Sequence, residues 1–385
     1  TCRADCFAAR ASRSTRFASA CNASRSARVG FDCERAEDAA APDCVPSGCP
    51  AGTSARSTAA TRGLSPVAVP NEAIAVPSRP ISDARGNTPR FAAAGLSVRM
   101  FDLPTPVNVK TFRSVPPGVE LFWGDIADPA SVREAVRGMD EVFHLAGIVP
   151  PLTETNRELC MKVNVEGTRN ILAAAEEESR ETGRPLPVRF SSSATVHGIT
   201  VNEQPPVSAN HPLSATSNYT ESKIAAEILV KNYSGPWTIY RFTATLYLIV
   251  RKGDFSRMKM IPADTRVEAA HLYDVCDALI NSVGNPAADN KTFILGGGES
   301  CRMLYRDQIK KMFDMFGFPE PDWKKFSTEP FALDWYDTAE AQAVLNYQSR
   351  SFDDYVDDFR RALGWKYYAI RYLAAPPMRL LRIRL

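Results

Sequence analysis

The chain has 385 residues, 44% of them hydrophobic, which is enough for one large domain or two smaller ones with a buried core. Its formal net charge is +2, so bulk electrostatics predict no nucleic-acid or membrane partner. No apolar run approaches the ~20 residues of a membrane-spanning helix, and the best candidate, Thr238 to Val250, is short and carries Arg241.

The first ninety residues differ in composition from the rest. They contain twelve arginines, no lysine and six of the nine cysteines, with no sustained helical or strand period. A disulfide module is disfavoured because the apolar residues of a small core are missing, and a metal site because histidine and CxxC are absent. A transit peptide fits the Arg/Ser-rich composition but not the cysteines. We expect a disordered extension over residues 1–72, with translation of a wrong reading frame as one origin.

From Phe91 onward, predicted strands alternate with predicted helices. Such alternation favours an α/β fold with a doubly wound parallel sheet whose two faces are covered by helices. We place this nucleotide-binding domain at residues 73–250 and a small C-terminal substrate lobe, interleaved with the last strands of the sheet, at residues 251–365. The strands are expected at Ser97–Leu103, Val119–Asp125, Glu141–Leu145 and Trp237–Phe242, and the helices at about Pro129–Gly138, Glu158–Glu178 and Tyr219–Asn232.

Candidate catalytic residues lie in FSSSATVHG (190–198) and YTESK (219–223). Tyr219 and Lys223 are one helical turn apart, so both side chains project from one face of a helix. A lysine ammonium beside a phenol lowers the tyrosine pKa from its usual value near ~10. The serine run follows a strand-like stretch and can bring a hydroxyl to a shared substrate oxygen. These residue types suit proton transfer on a carbinol oxygen while a hydride leaves its carbon.

Together these motifs resemble the extended short-chain dehydrogenase/reductase family, which includes NAD-dependent sugar epimerases and dehydratases. SSSATVHG resembles the SSSATVYG of UDP-galactose 4-epimerases, with His197 at a position where tyrosine is usual. The resemblance implies that Ser193 is the catalytic serine, Tyr219 the acid/base and Lys223 its electrostatic partner. It also implies a cytoplasmic Rossmann-type oxidoreductase or isomerase of nucleotide-sugar metabolism.

The resemblance further implies a set of cofactor-binding residues. Asp102 ends a strand where an acidic residue binds the adenosine ribose and favours NAD over NADP. Asp125 resembles the aspartate that contacts adenine, and the turn at Gly147 approaches the cofactor closely. Asn164, in N-V-E-G-T, resembles the asparagine that supports the active-site backbone. The implied set is Asp102, Asp125, Ile126, Leu145, Ala146, Gly147, Asn164, Ser191, Tyr219 and Lys223, with no metal ligand.

One further segment resembles the same family, and one segment that the family carries is missing. In Arg266–Val275, His271 and Asp274 are expected to shape the start of a helix near the substrate, with a structural role for His271. The glycine-rich turn of the family is missing: counting back about thirty residues from Asp102 places the first strand at Ile74–Val76. In the turn after that strand, Ser78, Ile81 and Ala84 replace the three glycines.

The favoured function is an NAD-dependent epimerase, dehydratase or dehydrogenase acting on a nucleotide sugar or similar secondary alcohol. A steroid- or flavonol-type reductase and a catalytically dead binding relative are the alternatives. The sequence is compatible with a homodimer and does not determine the oligomeric state. The basic, aromatic tail at residues 366–385 suggests weak peripheral membrane contact or a docking helix, and Pro376-Pro377 are expected to limit any continuous amphipathic helix.

Overall fold

The computed structural model describes residues 16–21, 90–91, 93–112, 115, 119–248 and 257–380. Within them, seven strands form one parallel sheet: β1 (Arg16–Cys21), β2 (Ser97–Asp102), β3 (Val119–Trp123), β4 (Glu141–His144), β5 (Val188–Ser193), β6 (Trp237–Phe242) and β9 (Lys291–Leu295). Their spatial order is β3-β2-β1-β4-β5-β6-β9. Because the order reverses between β1 and β4, the carboxyl ends of these strands border the crevice typical of doubly wound sheets.

The first strand is not where the sequence predicted it. Arg16–Cys21 pairs in parallel with β2 and with β4 and fills the central position of the sheet. The predicted strand, Ile74–Val76, lies outside the described residues. The expectation of a structureless extension over residues 1–72 is therefore wrong for these six residues. A central strand is selected by the two neighbours that complete its hydrogen bonds, and this signal is absent from local periodicity.

Helices cover both faces of the sheet, as the alternation predicted. In chain order they are α1 (Pro106–Thr111), α2 (Pro129–Val136), α3 (Leu152–Thr155), α4 (Arg157–Met161), α5 (Gly167–Thr182), α6 (Asn218–Lys231), α7 (Leu272–Ser282), α8 (Tyr305–Phe316), α9 (Ala339–Leu345), α10 (Phe352–Leu363), α11 (Trp365–Ala369) and α12 (Ala375–Leu380). A π-helical turn, Lys162–Glu166, joins α4 to α5, so the single predicted helix at Glu158–Glu178 is interrupted by a turn with a wider backbone period.

Two apolar cores lie on the two faces. One includes Val132, Ile171, Phe190 and Ile239. The other includes Met100, Phe143, Tyr240 and Phe293. Because strands of a parallel sheet are buried on both sides, every residue of β5 is buried, including its three serines.

The C-terminal lobe contains a smaller sheet in the order β10 (Arg302–Leu304), β8 (Arg266–His271) and β7 (Ala244–Leu246). His271 ends β8 and caps α7: its Nδ1 accepts a hydrogen bond from the Tyr273 N–H at 3.1 Å. Asp274, fully buried, accepts bonds from the Ser349 N–H and Oγ at 3.1 and 2.9 Å. Both residues shape the start of α7, as the resemblance predicted.

The last helical segment departs from expectation. Residues 365–380 are helical throughout, because a second π-turn, Ile370–Ala374, connects α11 to α12. Pro376 and Pro377 closely follow this π-turn, whose backbone hydrogen-bond spacing differs from that of an α-helix. The prolines therefore do not break the helix as predicted.

Candidate active site

The start of α6 is fixed by two sets of hydrogen bonds. Ser217 Oγ accepts from the Thr220 N–H at 3.2 Å, while Thr220 Oγ1 accepts from the Ser217 N–H at 3.0 Å, which forms a capping box. The Glu154 carboxylate accepts the N–H groups of Asn218 and Tyr219 at 3.1 and 3.2 Å. An acidic side chain at a helix N-terminus also interacts favourably with the helix dipole. The capping box and the Glu154 carboxylate therefore fix the helical turn that carries Tyr219.

Lys223 lies between Tyr219 and the serine strand. Its side chain is 4% exposed, and Nζ donates to the Ser191 carbonyl at 3.0 Å. The same Nζ lies 5.9 Å from the Tyr219 ring centroid and 5.1 Å from that of Phe190, within the range of cation–π attraction. A buried ammonium held in this way places a fixed positive charge beside the tyrosine.

The three serines of β5 have different surroundings. Ser192 Oγ donates to Glu227 Oε1 at 2.6 Å and belongs to a buried ionic network. Ser193 lines the cavity described below, and its Oγ lies 2.8 Å from Thr195 Oγ1 at the start of a 3₁₀ turn. Ser193 is the last residue of the strand, and all three serines line the cavity together with Tyr219 and Lys223.

Asn164 ties three parts of the site together from within the π-turn. Its Oδ1 accepts the Ile148 N–H at 2.8 Å, and its Nδ2 donates to the Ile148 carbonyl at 3.0 Å and to Ser222 Oγ at 2.9 Å. It thereby joins the turn after β4 to α6. A Cβ atom added to Gly147 in that turn would lie 3.1 Å from Asn164 Oδ1 and 3.2 Å from Lys223 Nζ.

These residues border a cavity of about 210 Å³ at the carboxyl edge of the sheet. The structure brings Leu145, Gly147, Ser191, Ser193, Tyr219 and Lys223 together in its wall. Apolar side chains form most of the remainder, among them Phe91, Val149, Phe242, Leu272, Val275 and Leu279. Among the described lining residues, Lys223 is the one with a formally charged side chain.

The two predicted aspartates lie outside this cavity lining. Asp102 is 2% exposed; its Oδ1 accepts the Leu103 N–H at 2.7 Å, and its Oδ2 accepts from Asn108 Nδ2 at 3.1 Å. Asp125 Oδ1 accepts the Ala127 N–H at 2.8 Å. A contact of either aspartate with a cofactor stays a prediction.

Two other predicted cofactor residues have buried side chains. Ile126 is 1% exposed and packs in the core, where its carbonyl accepts from Asn170 Nδ2 at 2.9 Å. Ala146 is 1% exposed and also faces that core. A contact of either residue with a cofactor stays a prediction.

The sequence did not predict that α7 of the C-terminal lobe forms one wall of the cavity. Leu272, Val275, Cys276 and Leu279 line the cavity from one face of α7. Their i, i+3, i+4, i+7 spacing indicates an apolar helix face, but the spacing does not say what that face covers. Burial raises the pKa of the Cys276 thiol, which keeps this cavity residue in its less reactive protonated form.

The buried network behind the serines was also missed. Arg241 donates to both oxygens of Glu227, through Nε at 2.9 Å and through Nη2 at 2.6 Å, and also to the Ala209 carbonyl. His197, which replaces the tyrosine usual in the resembling motif, lies with its Nε2 3.3 Å from Arg241 Nη1. Burial, followed by the charge of Arg241, lowers the pKa of His197 to about 4.

Comparison with known proteins agrees with this geometry. Residues 93–246 match the model of the 3-beta hydroxysteroid dehydrogenase/isomerase family. This match agrees with the resemblance of the same segment to the extended short-chain dehydrogenase/reductase family. The matched segment contains the serine run, Tyr219 and Lys223, so the residues that carried the resemblance lie within it.

Curated relatives match part of the chain. D-erythronate dehydrogenase of Cupriavidus necator is 36% identical over 118 residues, covering 30% of this chain and 34% of the relative. The 3-beta-hydroxysteroid dehydrogenase of Mycolicibacterium neoaurum is 30% identical over 151 residues, or 37% of each chain. The chain thus spans about a third of the length of these curated relatives.

A solved structure extends the likeness in fold. UDP-glucose-4-epimerase from Stenotrophomonas maltophila, with bound NAD and formylated UDP-arabinopyranose, superimposes with a TM-score of 0.60 at 17% identity. The match covers 72% of this chain and 94% of the epimerase. At this identity the comparison establishes the shared fold.

Proposed function

We propose that this chain is an NAD-dependent oxidoreductase that interconverts a secondary alcohol and its ketone on a largely apolar substrate. The observation that carries the proposal is the convergence of Ser193, Tyr219 and Lys223 on one cavity whose other described walls are mainly aliphatic and aromatic. Apolar walls with a few convergent polar groups are typical of small-molecule sites.

Each of the three residues has a distinct task in this proposal. The Tyr219 hydroxyl exchanges a proton with the substrate oxygen. The Lys223 ammonium, held by the Ser191 carbonyl, stabilises the negative charge that develops on the phenol oxygen. Ser193 donates a hydrogen bond to the substrate oxygen and orients it as the carbonyl forms. Bound NAD would supply the hydride acceptor or donor, which none of these side chains provides.

The residues at the carboxyl edge fit the nicotinamide half of such a cofactor. Gly147 offers a backbone surface without a side chain beside Lys223, and Asn164 holds the adjoining Ile148 backbone. We expect Leu145, Gly147 and Ser191 to border the nicotinamide ribose, with Lys223 donating to its hydroxyls. Asp102 and Asp125 remain the predicted ligands of the adenosine end.

The sequence after β1 fits the pyrophosphate less well. Related folds place a glycine-rich turn and a helix N-terminus there, so that several backbone N–H groups face the phosphates. In this chain β1 is followed by Asn22-Ala23-Ser24-Arg25-Ser26-Ala27-Arg28-Val29-Gly30, which contains a single glycine. We therefore expect weaker cofactor retention than a glycine-rich turn would give.

Substrate class follows from the cavity wall. A nucleotide sugar carries phosphate charges, which proteins generally hold with arginine, lysine or backbone amides. Of the described lining residues, only Lys223 has a positive charge, and it is engaged with Ser191. Arg251 and Lys252 lie outside the described residues, so the substrate panel below includes nucleotide sugars alongside sterols and other apolar alcohols.

The test combines cofactor binding with turnover. Titration of the full chain with NADH should enhance and shift the cofactor fluorescence, and an apolar secondary alcohol should generate NADH absorbance. Tyr219→Phe should lower turnover by about 10²–10⁴-fold while cofactor binding is retained. Tyr372→Phe removes the hydroxyl of an exposed tyrosine outside the cavity and should leave turnover unchanged.

Two results would count against the proposal. Absence of any fluorescence change at millimolar NADH would refute cofactor-dependent chemistry in this chain and favour a binding relative. Conversion of a nucleotide sugar without net change in NADH would identify an epimerase and refute the apolar-substrate assignment.

A further inference from the structure

The C-terminal helical segment, Trp365–Leu380, has one face attached to the lobe. Tyr367 packs in an aromatic core that includes Phe316 and Phe359, and Ala375 is 1% exposed. Arg371 Nη1 donates to the carbonyls of Asp314 and Met315, at 2.9 and 2.7 Å, at the end of α8. A cation at the carbonyl end of a helix satisfies groups that have no partner within that helix. The segment is thereby held in a defined orientation.

The opposite face of this segment is apolar and exposed. Its large side chains are Trp365, Tyr368, Tyr372, Leu373 and Leu380, with exposed fractions between 61% for Tyr368 and 84% for Leu380. The first three recur at i, i+3 and i+7, which is the spacing of one helix face. The Tyr368 and Tyr372 rings stack with a centroid distance of 6.4 Å. Contiguous exposed apolar surface of this kind usually marks a binding surface.

The charge of the same segment favours an anionic partner. From residue 365 to 385 the sequence contains five basic residues and no acidic residue. The acidic side chains of the preceding helix α10 have partners of their own: Asp353 pairs with Lys311, Asp357 with Arg360, and Asp358 with Arg361. A second copy would bring an equally basic segment against this face, so self-pairing is opposed by like charge.

We propose that this face docks on an anionic lipid surface, with the helix lying in the plane of the headgroups. Tyrosine and tryptophan combine apolar rings with a polar atom and are enriched at the membrane interface. The exposed Lys366, next to Trp365, would meet the anionic headgroups. None of the helices in the described part of the chain has the length and hydropathy needed to cross a bilayer. This proposal concerns a surface outside the cavity and does not depend on the proposed function.

Vesicle flotation of the full chain tests the proposal. Vesicles of phosphatidylcholine mixed with phosphatidylglycerol should carry the protein upward, whereas vesicles of phosphatidylcholine alone should carry much less, and added salt should release it. Tyr372→Ser combined with Leu373→Ser should weaken binding by about tenfold or more, because two exposed apolar side chains no longer enter the interface. Met260→Ser, which removes another exposed apolar side chain (61%) elsewhere, is the matched control.

A charge variant tests the electrostatic part separately. Lys366→Glu should weaken binding to the mixed vesicles by more than about fivefold, the effect of one basic residue near an anionic surface. Circular dichroism of each variant establishes that the fold is retained, which is expected because the changed side chains are exposed. Equal binding to neutral and anionic vesicles, no binding to either, or a dimer that Tyr372→Ser and Leu373→Ser dissociate would each overturn the proposal.

Discussion

Replacement of Arg241 by methionine should strongly destabilise the fold, because it leaves the Glu227 carboxylate buried without its main partner. The Arg241 and Glu227 side chains are 2% and 1% exposed, and they form a bidentate pair at 2.9 and 2.6 Å. Burial raises the pKa of Glu227, but hydrogen bonds and charge from Arg241 outweigh burial and hold that pKa below its ordinary value. Glu227 is therefore charged at neutral pH in the folded protein.

The expected cost of Arg241→Met is about 3–5 kcal/mol, the range for breaking a buried ion pair from one side. Ser192 at 2.6 Å and Lys231 at 3.9 Å still contact the carboxylate, which places the estimate nearer the lower end. Changing Glu227 to glutamine in the same chain removes the buried charge while an amide remains to bond Ser192. The double variant should therefore recover most of the lost stability, since a neutral replacement of a buried pair is often tolerated.

Urea unfolding followed by circular dichroism measures the effect as a shift of the midpoint at unchanged slope. The matched control is Arg169→Met, which breaks the Arg169–Glu166 pair; both side chains are about half exposed and 3.0 Å apart. That control should cost about 0–1 kcal/mol. A cost for Arg241→Met below about 1 kcal/mol, or a double variant less stable than both single variants, would refute the assignment of Glu227 as a buried charge.

Two further predictions concern the site. Gly147→Ala should reduce NADH binding and turnover without unfolding the protein, since the new Cβ at 3.1–3.2 Å must displace Asn164 or Lys223; full activity at unchanged KM would argue against a close cofactor approach at this turn. The contribution of His197 to stability should fall by about 3 kcal/mol as pH drops from 6.5 to 4, because the unfolded His197 takes up a proton near 6.5 and the folded one only near 4. His197→Gln should lose that part of the pH dependence of the free energy of unfolding, and an unchanged pH profile would contradict it.

Residues whose positions depend on local sequence were predicted well. Tyr219 and Lys223 share a face because helical spacing requires it, and Ser193 follows from the strand that precedes it. Asn164 was expected to support the active-site backbone, and its three bonds to Ile148 and Ser222 do so. The π-turn that carries Asn164 was not foreseen, because its residues have the same apolar spacing as an ordinary helix.

Features that depend on distant partners were predicted poorly. Arg16–Cys21 contains small and polar residues and has no strand-like alternation, yet it occupies the centre of the sheet because β2 and β4 supply its hydrogen-bond partners. The apolar wall from α7 shows the same dependence. The spacing of its residues in the sequence indicates an apolar helix face. That this face lines the same cavity as Tyr219 depends on how the lobe packs against the sheet.

The proton-transfer residues and the cofactor-binding turn lie in different parts of the chain, and this separation bears on catalysis. The proton-transfer residues lie on β5 and α6, and their hydrogen bonds run to α3, to the π-turn and to the turn after β4. Each of these bonds joins residues that follow β4 in the chain. Cofactor affinity, in contrast, depends on the backbone N–H groups that such a turn supplies. Loss of that turn should therefore raise the NADH dissociation constant far more than it changes the rate of hydride and proton transfer once cofactor is bound.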